Sequence, residues 1–300
     1  MVIILATLLE VGLNLKSTVK FAIGIPWLAV HSFARCPICS GLARTERAYG
    51  RLFRVCLDEE ACGFGWAGDF PNWIARMGMG LTGSWGGLEQ GGQREDYLVR
   101  SLSGLGQKSF LLLGVGATRV FRVLKRDGFN VEGADVSVEV VNHWRQSFGD
   151  SFFHADNLRS RGKKYDAIIC CEVVEHWLKP NEEMQTIRAA LSLNGIFAGC
   201  TNMRTPHEAV EDGTSPGYMA ALGHQAYWTE RSFAALAGRY SLGQSAFAKM
   251  LKPGVLDGVP NKRLFFVSDD SGLIDQIRKI IPEDGVIPLD AKSYRPNDYT

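Results

Sequence analysis

The chain has 300 residues, of which 46% are hydrophobic and 22% charged, and its 33 basic and 32 acidic side chains give a net charge of +1. This composition is that of a globular protein and excludes a disordered or low-complexity chain. The near-neutral charge provides no overall field for nucleic acid, so an RNA or DNA partner is disfavoured. Seven cysteines, in two separate groups, fit a reducing cytoplasm better than a disulfide framework.

The first thirty residues, 1–30, are apolar but are interrupted by Glu10, Lys16 and Lys20. No uninterrupted stretch reaches the roughly 18–20 residues that a membrane helix needs. The apolar run also precedes any basic residue, whereas a signal peptide begins with basic residues. We therefore predict no stable membrane span and an amphipathic segment packed on the body of the protein. An over-extended reading frame and peripheral membrane association are the competing interpretations.

A cysteine-bearing, aromatic-rich unit follows at residues 31–75, and four of its cysteines have the spacing of metal ligands: Cys36, Cys39, Cys56 and Cys62. Four thiolates form the donor set of a closed, tetrahedral structural zinc site. The second pair is more widely spaced than usual, which indicates an insertion in the second knuckle. Gly63 suits the tight turn of such a knuckle. We predict a small zinc-ribbon-like module, with reduced free cysteines as the alternative.

Residues 76–105 are rich in glycine and predict a linker that ends in a helix at 94–102. From there to residue 268, apolar runs alternate with helical patterns, and the tail at 269–300 contains one more amphipathic helix. The predicted strands lie at 110–113, 130–135, 151–155, 165–173, 196–203, 243–248 and 263–267. The predicted helices lie at 118–126, 138–144 and 180–193, the last ended by Asn194-Gly195. This alternation predicts an α/β domain over 106–268 with a doubly wound, mostly parallel, seven-stranded sheet closed by an antiparallel pair.

Glycine or acidic residues stand where each of the first four sheet strands ends. They are Gly114 and Gly116, then Asp135, then Asp156 and Asn157, then the segment Glu172-Val-Val-Glu175-His176. In an open α/β sheet these carboxyl ends line one crevice, where a nucleotide-like ligand binds. The glycines let the backbone approach such a ligand closely. A carboxylate at the end of the second strand accepts hydrogen bonds from ribose hydroxyls.

This ordered set resembles class I S-adenosylmethionine-dependent methyltransferases of the small-molecule type, over about residues 105–245. The resemblance implies a Rossmann-like domain that transfers a methyl group to a small molecule, such as a sugar-type biosynthetic intermediate. It also implies a cofactor site made of Gly114, Gly116, Asp135, Asp156, Asn157, Glu172 and Glu175, with Asp156 at the adenine amino group. S-adenosylmethionine and a structural Zn²⁺ are thus the expected cofactors, and a nucleic-acid partner is not expected.

Three side chains are candidates for the base that deprotonates the acceptor. His176 is the first, because imidazole titrates near neutral pH. His224 and Tyr227 are second candidates, since their segment resembles the one with which relatives cover the substrate. Positioning of the acceptor without any base is a further hypothesis.

Two residues depart from the family's pattern: Leu112 stands where an acid is usual, and Thr118 replaces the third loop glycine. These departures keep open a degenerate, non-catalytic relative that acts through its zinc module. A ribosomal RNA methyltransferase and an NAD-dependent dehydrogenase are two further hypotheses. The Glu172–His176 segment argues against the dehydrogenase, and the sequence specifies neither the acceptor atom nor the oligomeric state.

Overall fold

The computed structural model describes residues 34–48, 51–67, 92–204, 218, 223–251, 261–281 and 287–288. The apolar segment 1–30, the glycine-rich stretch 76–91 and the end of the tail lie outside the described residues. Within the described part of the chain, no helix is long and apolar enough to cross a membrane.

Strands and helices alternate along most of the described chain. The strands are β1 Ala43–Ala48, β2 Arg51–Cys56, β3 Gly65–Ala67, β4 Ser109–Leu113, β5 Asn130–Asp135, β6 Phe152–His154, β7 Tyr165–Cys171, β8 Leu191–Asn202, β9 Ala226–Tyr227, β10 Gln244–Leu251, β11 Lys262–Ser268 and β12 Ile287–Pro288. The helices are α1 Gln93–Gly104, α2 Val120–Arg126, α3 Val138–Phe148, α4 Pro180–Ala190, α5 Glu230–Arg239 and α6 Ser271–Ile280.

The larger sheet has the strand order β12-β10-β11-β8-β7-β4-β5-β6. Strands β4 to β8 run parallel to their neighbours among themselves, and β11 is antiparallel to both β8 and β10. The predicted doubly wound, mostly parallel sheet is confirmed, with its seven strands in place. The two-residue strand β12 adds an eighth at the edge, where it pairs in parallel with β10.

Successive residues of a central strand point into two different cores, as expected for a sheet covered on both faces. In β7, Ala167 and Ile169 belong to a core that includes apolar residues of α1, α2, α3 and α6. Ile168 and Cys170 belong to a second core, which includes apolar residues of α4 and α5 and of the cysteine-bearing segment. The cysteine-bearing segment therefore shares a core with the large domain.

A second, four-stranded antiparallel sheet has the order β1-β2-β3-β9. Its first three strands come from the cysteine-bearing segment, but β9 comes from the chain after β8. The pairing places Gly65 opposite Tyr227 and Trp66 opposite Ala226. The two parts of the chain are thus joined by strand pairing as well as by the shared core.

Local signals placed most element ends correctly, and one prediction was wrong. The Ser137 hydroxyl caps α3 by accepting a hydrogen bond from the Val140 amide at 3.3 Å. The helix that starts at Pro180 ends at Ala190, before the predicted stop. Leu191 already pairs with Tyr165 as the first residue of β8, and the Ser192 hydroxyl donates to the Asp166 carboxylate at 3.2 Å where the register then shifts. Asn194 lies within β8, where its backbone is left-handed with a φ of 60°, and so it does not end the helix.

Gly199 in β8 is the position where an added methyl group would cost most. A Cβ there would lie 1.7 Å from the Cys170 carbonyl oxygen and 2.8 Å from Cζ of Phe265. We expect Gly199→Ala to lower the free energy of unfolding by about 1–3 kcal/mol or more, as overpacking does. Gly104→Ala is the control, because nothing lies within 4 Å of its Cβ position at the end of α1. Urea unfolding measures both; equal stability of the two variants would contradict this packing.

Candidate functional site

The glycine loop after β4 faces the segment after β7, at the point where the strand order reverses. Gly114 and Gly116 both have left-handed backbones, with φ of 69° and 62°. A Cβ at Gly114 would lie 2.5 Å from Cγ2 of Val173, so glycine is needed for the loop to pack there. Nothing lies within 4 Å of a Cβ at Gly116, which leaves space at the crevice. This is the place where open α/β sheets bind ligands.

The Asp135 carboxylate ties the ends of β4 and β5 together. Its Oδ2 accepts from the Gly116 amide at 2.9 Å and its Oδ1 from the Ser137 amide at 2.9 Å. The residue is 7% exposed, and this burial raises the pKa of the carboxyl while the amide hydrogen bonds oppose the rise. Trp144 fixes the same loop by donating from Nε1 to the Gly116 carbonyl at 2.9 Å. A carboxylate has about four lone-pair positions, and the three backbone amides do not fill them all.

Asp156 and Asn157 lie in a short 3-10 turn directly after β6. Both are exposed or partly exposed, and the Asp156 side chain is 86% exposed. The Asp156 amide donates to Nδ1 of His154, which stands opposite Asp135 in the pairing of β5 with β6. The structure therefore puts Asp156 and Asn157 on the same edge of the sheet as Asp135, at its rim.

Glu172 joins two basic residues that the sequence analysis did not single out. Its Oε1 accepts from Nη1 of Arg94 at 2.9 Å and from Nζ of Lys262, whose side chain is buried. Burial alone would raise the pKa of Glu172, but the charges and hydrogen bonds of Lys262 and Arg94 lower it. Glu172 itself has a left-handed backbone, with a φ of 57°. A non-glycine residue held in that region is often found at a functional site.

The residues of this ion cluster come from α1, from β11 and from the end of β7, so no local spacing indicates it. Two sequence signals could have indicated this cluster. One is the basic residue in the predicted lead-in helix, and the other is the lysine beside an apolar strand. Leu112, which replaces the family's usual acid, is fully buried in the core under β4. Its side chain therefore does not reach the crevice.

A second cluster consists of Glu175 and His176, in the segment that follows β7, and of His224, whose ring lies against that of His176. The candidate ligand atoms of these three residues lie within 4.8 Å of one another. The centroids of the His176 and His224 rings are 4.8 Å apart, and the rings are steeply inclined at 71°. The structure thus brings together two of the three residues that the sequence proposes as bases, and adds the carboxyl of Glu175.

Hydrogen bonds define the tautomer of both imidazoles. Nδ1 of His176 lies 2.9 Å from the Gly223 carbonyl, and Nδ1 of His224 lies 2.7 Å from the Tyr218 carbonyl. Since a carbonyl only accepts, each Nδ1 carries the proton and each Nε2 presents a lone pair. Burial lowers the pKa of both rings, and burial with the neighbouring His176 lowers that of His224 to about 3. Both rings are therefore neutral at physiological pH.

Glu175 is fully buried, and its Oε2 accepts from the Thr201 hydroxyl at 3.0 Å. Burial, together with the charge of Glu172, raises the pKa of Glu175 well above its ordinary value. The same Thr201 hydroxyl lies 3.1 Å from that of Tyr218, which the sequence analysis did not name. The neutral, protonated carboxyl is the form that this environment favours.

Tyr227 lies next to this cluster but its hydroxyl faces the backbone. It donates to the His224 carbonyl at 3.0 Å, and the residue is 2% exposed. The Tyr218 ring, by contrast, lies against the His224 ring, with 4.3 Å between their centroids. Tyr218 therefore contacts the imidazole itself, whereas Tyr227 holds its main chain.

The four predicted metal-ligating cysteines form one compact cluster. Sγ of Cys36 lies 3.7 Å from that of Cys62, and Sγ of Cys39 lies 3.3 Å from that of Cys56. A tetrahedral zinc with Zn–S bonds of about 2.3 Å requires sulfurs about 3.8 Å apart, so the donor set and its spacing fit. The Gly41 amide also donates to Cys39 Sγ at 3.4 Å, in the first knuckle. Glu175, His176 and His224 are the second group of described residues whose geometry could hold a metal ion.

Comparison with known proteins agrees with this geometry. Residues 94–242 match the family model described as a methyltransferase domain. The chain is also 27% identical, over 124 residues, to a ubiquinone biosynthesis O-methyltransferase of Actinobacillus pleuropneumoniae serotype 7. That match covers 37% of this chain and 53% of the relative, so the chain spans about half the length of the curated relatives it matches.

Solved structures with a similar arrangement include two methyltransferases. An S-adenosylmethionine-dependent methyltransferase from Archaeoglobus fulgidus has a TM-score of 0.44 and 12% identity, over 58% of this chain and 94% of that chain. Magnesium protoporphyrin IX methyltransferase from Synechocystis, with S-adenosylhomocysteine bound, has a TM-score of 0.41 and 17% identity, over 59% and 83%. The family match and the strand order together support a methyltransferase domain over residues 94–242.

The neutral state of His224 gives a pH prediction. A histidine whose folded pKa is depressed lowers the stability of the fold as pH falls below about 6.5, because only the unfolded chain then takes up the proton. We expect the His224 ring nitrogens in the folded protein to keep their neutral, Nδ1-protonated pattern at pH 5, as measured by ¹H–¹⁵N correlation of histidine-labelled protein. His224→Gln assigns the signal, and the urea-unfolded chain serves as the reference. Protonation of the folded ring near pH 6.5 would contradict the buried site.

Proposed function

We propose that this protein transfers the methyl group of S-adenosylmethionine to a small molecule, such as a sugar-type biosynthetic intermediate. The observation that carries the proposal is the convergence of two clusters on one crevice of a methyltransferase domain. The carboxylates of Asp135 and Glu172 follow the ends of β5 and β7, and the neutral imidazoles of His176 and His224 lie together beside the segment after β7. The match to an O-methyltransferase of ubiquinone biosynthesis supports a small-molecule acceptor.

Each residue of the cofactor side would then have a role in holding S-adenosylmethionine. The open space at Gly116 admits the ligand, and the Asp135 carboxylate accepts from the ribose hydroxyls. Asp156 and Asn157, at the rim, receive the adenine. At the methionine end, Arg94 and Lys262 bind the carboxylate, and Glu172 binds the ammonium group. When bound, S-adenosylmethionine supplies a methyl group that its sulfonium already activates.

The acceptor side then needs only to orient the acceptor and remove its proton. Nε2 of His176 and Nε2 of His224 are the available lone pairs, and Glu175, held protonated, can donate a hydrogen bond. Tyr227 supports His224 through its carbonyl. The spacing of the three ligand atoms also favours a second role for these residues. A divalent cation held by Glu175, His176 and His224 would bind the acceptor oxygen directly.

The four-cysteine cluster is proposed to hold a structural Zn²⁺. All four positions of a tetrahedron are filled by sulfur, so no open position remains for catalysis. Reduced, metal-bound cysteines also fit a cytoplasmic location.

The competing functions have less support. A degenerate, non-catalytic relative is suggested by Leu112, but Glu172 offers a carboxylate at the crevice in its place. Methylation of ribosomal RNA is disfavoured by the net charge of +1. An NAD-dependent dehydrogenase would leave the acceptor-side cluster of Glu175, His176 and His224 without a role.

Calorimetric titration of S-adenosylmethionine into the full chain tests the cofactor site. We expect Asp135→Asn to weaken binding by roughly 10–100-fold, because a hydrogen bond to a charged group contributes about 1.5–3 kcal/mol. Asp150→Asn is the control, since that side chain is 84% exposed and pairs with Arg145 on the surface. No binding by the unmodified protein at millimolar cofactor would refute the proposed function. Binding without methyl transfer to any acceptor in a screen would favour the degenerate relative.

Metal analysis of the purified protein tests the two candidate metal groups together. We expect one zinc per chain, lost in Cys62→Ser because three thiolates and a hydroxyl bind zinc weakly. His224→Gln should keep that zinc, because its ring is not part of the cysteine cluster. A second metal equivalent that only His224→Gln removes would assign the cation to the acceptor side. Purified protein without zinc at the cysteines would contradict the structural role.

A further inference from the structure

The cysteine-bearing segment is built into the acceptor side of the crevice by strand pairing. Its sheet is completed by β9, which begins two residues after His224. The Ala67 amide donates to the Gln225 carbonyl at 2.9 Å, and the Gln225 amide donates to the Glu175 carbonyl at 2.7 Å. A continuous path of backbone hydrogen bonds therefore runs from β3 through Gln225 to Glu175.

Arg51, at the start of β2, makes the most direct contact between that segment and the histidines. The residue is 1% exposed, and its Nη1 donates to the His224 carbonyl at 3.0 Å and to the Tyr227 hydroxyl at 3.3 Å. The Tyr227 hydroxyl donates to the same His224 carbonyl. Together with the bond from Nδ1 to the Tyr218 carbonyl, these contacts hold both the backbone and the ring of His224.

The two cysteine knuckles are held by the large domain in the same way. In the second knuckle, the carbonyl of Cys62 accepts from the Thr229 hydroxyl at 2.5 Å, and that of Gly63 accepts from Nη1 of the buried Arg204 at 3.0 Å. In the first, the Pro37 carbonyl accepts from the Asn181 side chain of α4 at 2.8 Å. A metal ion that joins the two knuckles would therefore join α4 to the residues that follow β9.

We propose that the cysteine module, defined as residues 34–67, is a wall of the acceptor side, and that Arg51 is a positioning residue that holds His224 against His176. The proposal rests on the proposed function for its kinetic consequence, but its structural content is independent of any activity. In this proposal, the metal ion held by the four cysteines keeps β3 in position to pair with β9. It also keeps β2 in position, so that Arg51 reaches His224.

A module that folds independently of the large domain and recruits a partner would differ from this one in its core and in the edge of its sheet. It would have its own core and would keep the edge of its sheet available for a partner. Here the edge of β3 is taken by β9, and the cysteines share a core with Trp228 and Phe233 of the large domain. The centroids of the Phe64 and Trp228 rings lie 4.7 Å apart across this junction.

Hydrogen–deuterium exchange of the full chain tests the structural part without any assay of activity. The metal-loaded protein is compared with protein treated with a thiol-compatible zinc chelator, and with Cys62→Ser. We expect the amides of 225–229 to lose protection together with those of 51–56 and 65–67, because the paired strands separate together. Strand β5 at 130–135, on the far side of the large sheet, should keep its protection. Unchanged protection of 225–229 while 51–56 exchanges freely would overturn the proposal.

Variants of Arg51 test the positioning role. We expect Arg51→Gln to lower kcat by roughly 10–100-fold, as small misplacement of a reacting group does, and to shift the His224 ring signals. Its zinc content and S-adenosylmethionine affinity should stay within about twofold of the parent. Arg51→Lys should restore part of kcat, since an ammonium group can donate to the same carbonyl. Arg145→Gln, which removes an exposed guanidinium of α3 that pairs with the exposed Asp150, is the control.

The outcomes separate this proposal from the proposed function. If the unmodified protein transfers no methyl group, the exchange pattern and the His224 signals still decide whether Arg51 and the metal hold this wall. If methyl transfer is observed but Arg51→Gln leaves kcat and the His224 signals unchanged, the positioning role is refuted. Loss of zinc and of S-adenosylmethionine binding together in Arg51→Gln would indicate general unfolding and would also count against it.

Discussion

The parallel pairing of β4 with β7 is the constraint on which the remaining structure depends. From β4 the chain extends the sheet in one direction through β5 and β6, and it then returns to extend the sheet the other way through β7 and β8. The carboxyl ends of the two central strands are left side by side without a crossover between them, which opens the crevice. Gly114 and Val173 meet at this point in a contact that only glycine permits. Under the proposed function, strands β4 to β6 would contribute to the cofactor side, and most of the chain after β7 to the acceptor side.

Burial leaves Glu172 ionised but keeps Glu175, His176 and His224 neutral. The difference arises because only Glu172 has basic partners that outweigh the penalty of burial. Burial opposes any charge, and at Glu175, His176 and His224 nothing of opposite sign outweighs it, so those groups are held neutral. At Glu172 the same penalty is overcome by Arg94 and Lys262, and the carboxylate stays ionised. Under the proposed function, the fixed charges around Glu172 would meet the charged end of the cofactor, and the neutral imidazoles would be available to take a proton from the acceptor. Burial thus decides the direction of the pKa shift at Glu175, His176 and His224, whereas the two neighbouring cations decide it at Glu172.

The parts of this site that are local in the chain could be predicted from the sequence. A glycine loop, an acid about 20 residues later and the Glu172–His176 segment each depend on one strand end, so spacing alone locates them. Arg94, Lys262 and Arg51 were missed because each acts on a residue at least 78 positions away. The end of α4 was misplaced because Asn194-Gly195 is a common stop signal, whereas the Asp166 carboxylate holds Ser192 in the strand. In each case a non-local contact outweighed a local preference.

The position of Leu112 shows how a departure from a family pattern can be consistent with function. A side chain at that position has two destinations, the core beneath β4 or the crevice at its end. In this chain the leucine lies wholly in the core, which it shares with residues of α1, α2, α3 and α6. The crevice therefore gains no carboxylate from this position, and Glu172, at the end of the neighbouring strand, supplies one instead.

The backbone of Glu172 explains why two basic side chains stand beside the crevice. Its left-handed conformation costs on the order of 1–3 kcal/mol, so the surrounding contacts must hold it in place. Lys262 is buried and Arg94 is only about one-third exposed, and both pair with the same carboxylate oxygen. These two ion pairs oppose the strain and keep the carboxylate ionised. The same contacts place two cations beside this carboxylate, where they would meet the charged end of a zwitterionic ligand under the proposed function.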